Sequence, residues 1–189
     1  MYTIESNINN EIIIKNSRFI TYLIKLNKPS IDEELNELKD LYPKATHYCY
    51  AYIYNDIKRS SDDGEPGSTA GMPMLNVLEK NNLNNILAVT IRYFGGIKLG
   101  AGGLTRAYTK SVTEALKLTN LKELEEGYKI SLEFDYSNEK NINYILSNST
   151  IISKEYNESI EYITLVNKDT LDKLSNYNYK ILEEILIEK

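Results

Sequence analysis

The sequence predicts an α+β protein made of two successive units. Runs of β-branched and aromatic residues alternate with segments of helical periodicity, and the last third has the order strand, helix, strand, strand, helix, strand. This order is the split βαβ pattern of ferredoxin-like domains. We therefore expect a first domain over residues 1–124 and a ferredoxin-like domain over residues 127–189, with the charged residues 122–127 as a linker.

The first domain is predicted to open with two strands, over residues 12–14 and 19–26, followed by a helix. Ser30 and Glu33 form a capping-box pattern at the start of this helix, and Pro43 ends it. The later elements are a strand over residues 46–54, a polar loop over 58–71, a short helix from Pro73 to about Lys80, a strand over 86–94, a loop over 95–103 and a helix over about 104–121.

The second domain is predicted from shorter segments with regular spacing. Its elements are a strand over residues 128–135, a helix over 138–147, strands over 150–156 and 159–166, a helix over 169–176 and a strand over 179–187.

The composition is that of a soluble globular protein. Of 189 residues, 42% are hydrophobic and 26% are charged. No uncharged apolar run approaches the roughly 18 residues that a membrane-spanning helix needs, and the first 20 residues lack the apolar core of a secretory signal. A single cysteine, Cys49, excludes an internal disulfide and a zinc site built from cysteines alone. The expected location is the reducing cytoplasm, with no membrane partner.

The charge is divided unevenly along the chain. The formal net charge is −5, of which residues 1–126 carry −1 and residues 127–189 carry −4, with 7 lysines against 11 acidic residues. A general nucleic-acid coat protein would be basic, so the whole-chain charge gives no support for one. The near-neutral first part leaves room for a local basic face.

The strongest chemical pattern is a glycine-rich loop between a strand and a helix. Five of the nine residues 95–103 are glycine. Backbone N–H groups at such a turn, together with the positive end of the helix dipole, favour an anion. The candidate phosphate or nucleic-acid site consists of Arg92, Gly95, Gly96, Lys98, Gly100, Gly102, Gly103, Arg106 and Lys110. The same spacing also fits a tight strand–helix turn beside an ordinary solvated helix face, and the loop is neither a P-loop nor a dinucleotide fingerprint.

An acidic loop is the second candidate site. Asp62, Asp63 and Glu65 lie close together among serines, threonine and glycines, and carboxylate oxygens are ligands for Mg²⁺ or Ca²⁺. The spacing is not that of an EF-hand. The loop is therefore interpreted as a turn whose hydroxyls cap the next helix, or as a partner-docking loop. No metal site is predicted.

The strand over residues 46–54 alternates between two sets of side chains. His47 and Cys49 share one face, but residues two apart on a strand are roughly 6–7 Å apart, too far for direct proton transfer. We expect both to be buried structural residues. Four tyrosines share the other face, where they could stack on bases or pack under a helix; packing is favoured. The four are Tyr48, Tyr50, Tyr52 and Tyr54.

Five motifs together resemble the IMPACT/YigZ family, in order and at the family's spacing, through about residues 15–115. They are Ser17-Arg18-Phe19-Ile20, Ala45-Thr46-His47-Tyr48-Cys49-Tyr50-Ala51, Ser61-Asp62-Asp63-Gly64-Glu65-Pro66, Thr69-Ala70-Gly71 with Pro73-Met74-Leu75, and Val89-Thr90-Ile91-Arg92-Tyr93-Phe94-Gly95-Gly96 with Leu99-Gly100 and Gly102-Gly103-Leu104.

The resemblance implies an N-terminal domain like domain 2 of ribosomal protein S5 and a ferredoxin-like C-terminal domain similar to one in translocating elongation factors. It implies that eukaryotic relatives regulate translation under amino-acid stress by competing for the activator of an initiation-factor kinase. For bacterial relatives, nucleic-acid or ribosome binding is inferred. The family has no accepted catalytic residues, so none is assigned here.

The leading hypothesis is therefore a non-catalytic cytoplasmic protein, without a cofactor, that binds RNA, the ribosome or a translation factor through the glycine loop. One alternative is a nucleotide-binding enzyme that carries out Mg²⁺-dependent phosphoryl transfer, with the acidic loop holding the metal. Another is a protein-docking module that uses the acidic loop and the acidic second domain. The sequence leaves the oligomeric state open.

Overall fold

The computed structural model describes residues 1–189 and divides the chain into two compact units, Met1–Glu123 and Leu124–Lys189. Both units combine sheet and helices, so the predicted α+β fold is confirmed. None of the helices has the length and apolar character needed to cross a lipid bilayer.

The first unit contains six complete strands and three helices. They are β1 (Tyr2–Ile4), β2 (Ile8–Ile14), β3 (Ser17–Lys25), α1 (Asp32–Leu41), β4 (His47–Tyr54), β5 (Ile57–Ser61), α2 (Gly71–Lys80), β6 (Ile86–Tyr93) and α3 (Ala101–Leu116).

An antiparallel sheet of order β2-β3-β6-β4-β5 forms the centre of this unit. The middle strand β6 is buried from Ile86 through Arg92, as its almost entirely apolar sequence predicts. Apolar side chains of α2 and α3 cover one face of the sheet. Apolar side chains of α1 cover the other face, which gives the unit a second, smaller core.

The alternation along β4 is confirmed. Cys49, Ala51 and Ile53 are buried in the core beneath α2 and α3, while the four tyrosines are partly buried in the core beside α1. The hydroxyl of Tyr54 donates to the carbonyl oxygen of Asn27 at 3.1 Å. The tyrosine face therefore packs and is not an open stacking platform.

Three local predictions in the first unit are wrong. The unit opens with three strands and not two, because β1 precedes the two predicted ones. The first residues of the predicted polar loop form β5, because they pair with β4 across a two-residue turn at Asn55 and Asp56. The capping box is absent: α1 begins after Ile31 without a side-chain cap, and Glu33 instead forms an exposed ion pair with Lys28.

The predicted linker over residues 122–127 is part of a long strand, β7 (Leu121–Phe134). Its first three residues pair with β1 in the first unit, and residues 124–127 pair with the last strand of the second unit. The charged residues in this segment are compatible with a strand because strand pairing uses the backbone, and their side chains are mostly exposed to solvent.

The second unit continues β7 with two helices and three further strands, after a 3₁₀ turn at Tyr136–Asn138. These elements are α4 (Glu139–Ile145), β8 (Thr150–Tyr156), β9 (Ile160–Asn167), α5 (Lys168–Lys173) and β10 (Asn178–Glu188). The antiparallel order β10-β7-β9-β8 is that of a ferredoxin-like βαββαβ sheet, as predicted.

The exit of β6 lies directly against the turn between β2 and β3. That turn, Lys15 and Asn16, has positive φ at both residues, the geometry of a tight hairpin. The N–H of Gly95 donates to Ser17 Oγ at 3.1 Å. A Cβ on Gly95 would overlap the backbone of Asn16 and Ser17, so only glycine fits this approach.

We expect Gly95→Ala to lower the free energy of unfolding by about 2 kcal/mol or more, because the hairpin or the loop must move to admit a methyl group. Gly67→Ala is the matched control, since a Cβ there meets no atom within 4 Å. Urea unfolding of both variants and the wild type measures the difference. Equal stability of the two variants would contradict the close approach.

Candidate functional site

Asp62 organises the acidic loop between β5 and α2. Its Oδ2 accepts a hydrogen bond from the backbone N–H of Ser68 at 2.7 Å, and its Oδ1 accepts from Ala70 and Gly71 at 2.9 and 2.8 Å. Ala70 is the N-cap residue of α2, which has no side-chain cap of its own. Asp62 thus takes the place of the serine or threonine hydroxyl that was predicted to cap this helix.

The carboxyl of Asp62 is held in its charged form. Burial by itself would raise the pKa of Asp62, but the three backbone donors outweigh burial and keep the pKa below its ordinary value of 3.8. An ionised carboxylate at the first turn of α2 is also favoured by the helix dipole.

Asp63 ties the same loop to β4. Its Oδ2 accepts from the backbone N–H of Tyr48 at 2.6 Å, and its carbonyl oxygen accepts from His47 Nδ1 at 2.7 Å. Asp63 and Gly64 both have positive φ, of 42° and 84°, so the chain turns sharply here. His47 was predicted to be buried, but it is only half-buried. Its hydrogen bond to Asp63 agrees with the predicted structural role.

Glu65 enters the interior of the unit, where its side chain is 3% exposed. Its Oε1 accepts from Arg92 Nη1 at 2.6 Å and from the hydroxyl of Tyr108 at 2.7 Å. Its Oε2 lies 3.8 Å from His47 Nε2. The acidic loop, β6 and α3 therefore meet at one buried carboxylate, which we call the Glu65 cluster: Glu65, Arg92 and Tyr108.

The position of Arg92 corrects its predicted role as a phosphate contact. The residue is only 4% exposed, and its Nη2 donates to Ser17 Oγ at 3.3 Å. The guanidinium carbon lies 5.4 and 5.6 Å from the ring centroids of Phe19 and Phe94. Arg92 is thus an internal counterion of Glu65, because the inward alternation of β6 places its side chain in the core.

Cys49 lies beside the Glu65 cluster and is fully buried. Its Sγ donates to the carbonyl oxygen of Asp62 at 3.0 Å and is 3.3 Å from the hydroxyl of Tyr108. Burial raises the pKa of the Cys49 thiol to about 12. The thiol is therefore protonated at neutral pH, as expected for a buried structural cysteine.

The three carboxylates of the acidic loop all have internal partners, which gives no support to the predicted alternative of Mg²⁺-dependent phosphoryl transfer. Asp62 and Asp63 accept from backbone N–H groups, and Glu65 is paired with Arg92. No group of three or more His, Cys, Asp or Glu side chains in the chain is arranged to hold a metal ion.

The glycine loop leads to an uncapped helix terminus. Gly96 and Gly100 have positive φ, of 84° and 73°, and a Cβ on either would enter open space. Gly100 is the N-cap residue of α3, with no side-chain cap and no acidic residue in the first turn. The N–H groups at the start of a helix lack intrahelical acceptors. Helix α3 begins at Ala101, three residues earlier than predicted, so Gly102 and Gly103 belong to its first turn.

Of the predicted cations, Lys98 is in the loop before this terminus, Arg106 is in the second turn of α3, and Lys110 is about one turn further along the helix. Lys98, Arg106 and Lys110 are exposed and form no close ion pair, but Lys110 interacts electrostatically with Glu114, which is itself bonded to Lys117. Arg106 Nη1 lies near Gly102, 3.6 Å from the position of a Cβ on that glycine, so the guanidinium folds back toward the first turn of α3. Two predicted members are removed from the site: Arg92, which is buried, and Gly95, whose N–H donates to Ser17 Oγ against the β2–β3 hairpin.

Sequence reasoning missed two apolar residues at the same loop. Phe94 and Ile97 are 47% and 46% exposed. The signal that could have found them is their position in a loop whose other residues are small or charged. The sequence pattern also did not identify Tyr108 as a hydrogen-bond partner of Glu65, because helical spacing predicts only that Tyr108 is buried.

Comparison with known proteins agrees with the motif pattern. Residues 15–116 match the model of the Impact N-terminal domain. The chain is 38% identical to the IMPACT family member YvyE of Bacillus subtilis over 182 residues, 93% of this chain and 84% of that protein. It is 35% identical to the IMPACT family member YigZ of Escherichia coli over 151 residues, 76% and 74% of the two chains. A crystal structure of a hypothetical protein superposes with a TM-score of 0.73 at 27% identity, covering 96% of this chain and 97% of that one.

Glu65→Gln is expected to lower the free energy of unfolding by about 3 kcal/mol, because it leaves the charge of Arg92 buried without a counterion. Tyr108→Phe, which removes one neutral donor, should cost about 1 kcal/mol. Glu79→Gln is the matched control: it breaks the exposed ion pair with Lys58 and should change stability by less than about 1 kcal/mol. Chemical denaturation ranks the three variants, and a Glu65 variant as stable as the control would refute the role of the cluster.

Asp62→Asn should lower the free energy of unfolding by about 2 kcal/mol at neutral pH, since the amide replaces a charged acceptor and sets an NH₂ group against a backbone donor. The folded pKa of Asp62 is depressed below 3.8, so its stabilisation is present above that value and is lost as the pH falls through the folded pKa. Unfolding measured from about pH 7 to about pH 3 should show the two chains converging at the acid end. Asp56→Asn, at the exposed β4–β5 turn, controls for net charge.

Proposed function

The chain belongs to the IMPACT family, and from that premise we propose that it is a non-catalytic cytoplasmic protein that binds RNA in a role linked to translation. The observation that carries this proposal is the uncapped N-terminus of α3 beside the exposed Lys98 and Arg106, neither of which forms an ion pair. The RNA-binding site consists of the glycine loop with Lys98, Arg106 and Lys110.

The chemistry of this surface suits a phosphate group. The free N–H groups of the first turn and the dipole of a 16-residue helix favour negative charge at one point. The exposed glycines let a phosphate oxygen approach the backbone closely. Lys98 and Arg106 add positive charge without the cost of breaking an internal ion pair, since both are exposed and form none.

Two features favour an RNA strand over a free nucleotide. The cations extend along α3 from Arg106 to Lys110, one helical turn apart, which suits successive phosphates of a chain. Phe94 and Ile97 offer apolar contact for bases at the same loop. A nucleotide-dependent enzyme would need a metal site, and the acidic loop's carboxylates are already occupied by internal partners.

Lys98→Ala/Arg106→Ala should weaken binding of a fluorescein-labelled single-stranded RNA by about tenfold at about 50 mM salt, because two phosphate contacts are lost. The slope of log affinity against log salt, measured from about 50 to about 200 mM, should become shallower by about 1.4, since each phosphate contact to a single strand contributes about 0.7. Fluorescence anisotropy measures both quantities.

The matched control is Lys39→Ala/Lys44→Ala, which removes two exposed positive charges at and after the end of α1. This control should bind RNA like the wild type. If both double variants weaken binding equally, the effect comes from net charge and not from a specific site. Salt-independent binding by the wild type would contradict a phosphate site altogether.

A further inference from the structure

A groove of about 290 Å³ lies on the side of the first unit's sheet that faces α1, away from α2 and α3. Asn9 of β2 and Tyr22 of β3 line it from the sheet, and Glu34, Glu37, Leu38 and Leu41 line it from α1. Its volume is at the small end for a ligand pocket and suits side chains rather than a whole drug-sized molecule.

The groove runs beside an open edge of the sheet. Strand β2 pairs only with β3, so its other side is unpaired. The β2–β3 hairpin has a two-residue turn, in which the flanking pair Ile14 and Ser17 is hydrogen-bonded and the pattern then alternates. By that alternation the backbone N–H and C=O groups of Asn9, Glu11 and Ile13 point to the open edge. An edge of this kind accepts an additional strand.

The charge of the groove is negative. Two carboxylates, those of Glu34 and Glu37, line the groove, and no lysine or arginine does. Glu34 Oε2 is buried and has no hydrogen-bond partner. Lys28, the basic residue that comes shortly before α1, is bonded to Glu33 and interacts with Glu34 only electrostatically. A buried carboxylate oxygen without a partner is costly unless a cationic donor reaches it.

We propose that this groove binds an extended peptide segment of a partner protein that carries a basic side chain. The peptide adds as a strand to β2, and its backbone pairs with Asn9, Glu11 and Ile13. Alternate side chains of a strand point to the same side, so one set faces α1. Among them an arginine or lysine bonds the carboxylate of Glu34, and apolar neighbours contact Tyr22 and the exposed Leu41.

This site is separate from the proposed RNA site. It lies on the opposite face of the same sheet and carries the opposite charge, so each can fail without the other. Lys98 and Arg106 take no part in it, and Glu34 takes no part in RNA binding.

The test uses the full chain and a defined probe, a fluorescein-labelled, capped peptide of alternating threonine and valine with one central arginine. Glu34→Gln should weaken its binding about tenfold, because a charged hydrogen bond is lost while the shape is kept. Leu41→Gln should weaken it severalfold, and Asp40→Asn, an equal change of charge on the exposed side of α1, should leave it unchanged. The peptide with citrulline for arginine should bind as weakly to the wild type as the arginine peptide binds to the Glu34 variant.

Backbone NMR distinguishes strand addition from a simple charge contact. The amide signals of Asn9, Glu11 and Ile13 should shift and gain protection from exchange when the peptide binds, and an N-methylated peptide should not bind. Absence of saturable binding at millimolar peptide, equal binding of the citrulline peptide, or equally tight binding of free arginine would each overturn the proposal. So would a dimer at sedimentation equilibrium whose β2 amides are protected without peptide, since a second copy would then occupy the edge.

Discussion

The first unit depends on a buried pair of opposite charges, Glu65 and Arg92, with the hydroxyl of Tyr108 as the third member. Taking two ions out of water costs several kcal/mol per ion, and their attraction offsets this only when the geometry is good and the remaining groups are bonded. Each member comes from a different element: the acidic loop, the central strand and the longest helix. The requirement to satisfy one carboxylate therefore fixes how these three elements meet.

The need to bring Glu65 to Arg92 also explains the conformation of the acidic loop. Glu65 reaches the interior only if the chain before it turns sharply, and the positive φ of Asp63 and Gly64 makes that turn. Asp62 then bonds the start of α2, and Asp63 bonds β4. The composition of this loop is typical of a mobile or ligand-binding segment, but its carboxylates form hydrogen bonds within the unit. The motifs by which the chain resembles its family specify this internal geometry more than they specify a reactive site.

The sequence predicted what periodicity and glycine content control, and failed where long-range partners decide. The strands of the ferredoxin-like unit, the alternation on β4 and the strand–loop–helix order around Gly95 follow from local patterns. Strand β5 and residues 122–127 carry charges typical of loops. They are strands because β5 pairs with β4, residues 122–123 pair with β1, and residues 124–127 pair with β10. Arg92 was misassigned because a cation next to a glycine loop is typical of a phosphate site, and its carboxylate partner lies 27 positions away in sequence.

The near-neutral charge of residues 1–126 conceals a division between the two faces of one sheet. On the face covered by α3, the helix terminus and the unpaired Lys98 and Arg106 create a positive potential; beside α1, Glu34 and Glu37 create a negative one. The sheet has one apolar core on each face. These cores separate the two groups of charges, so that neither forms ion pairs with the other. Removing Arg92 from the surface sharpens the division, because its charge is cancelled inside by Glu65. The sum over a chain therefore excludes a uniformly basic coat but not two oppositely charged surfaces, and the two proposed sites do not compete for the same charges.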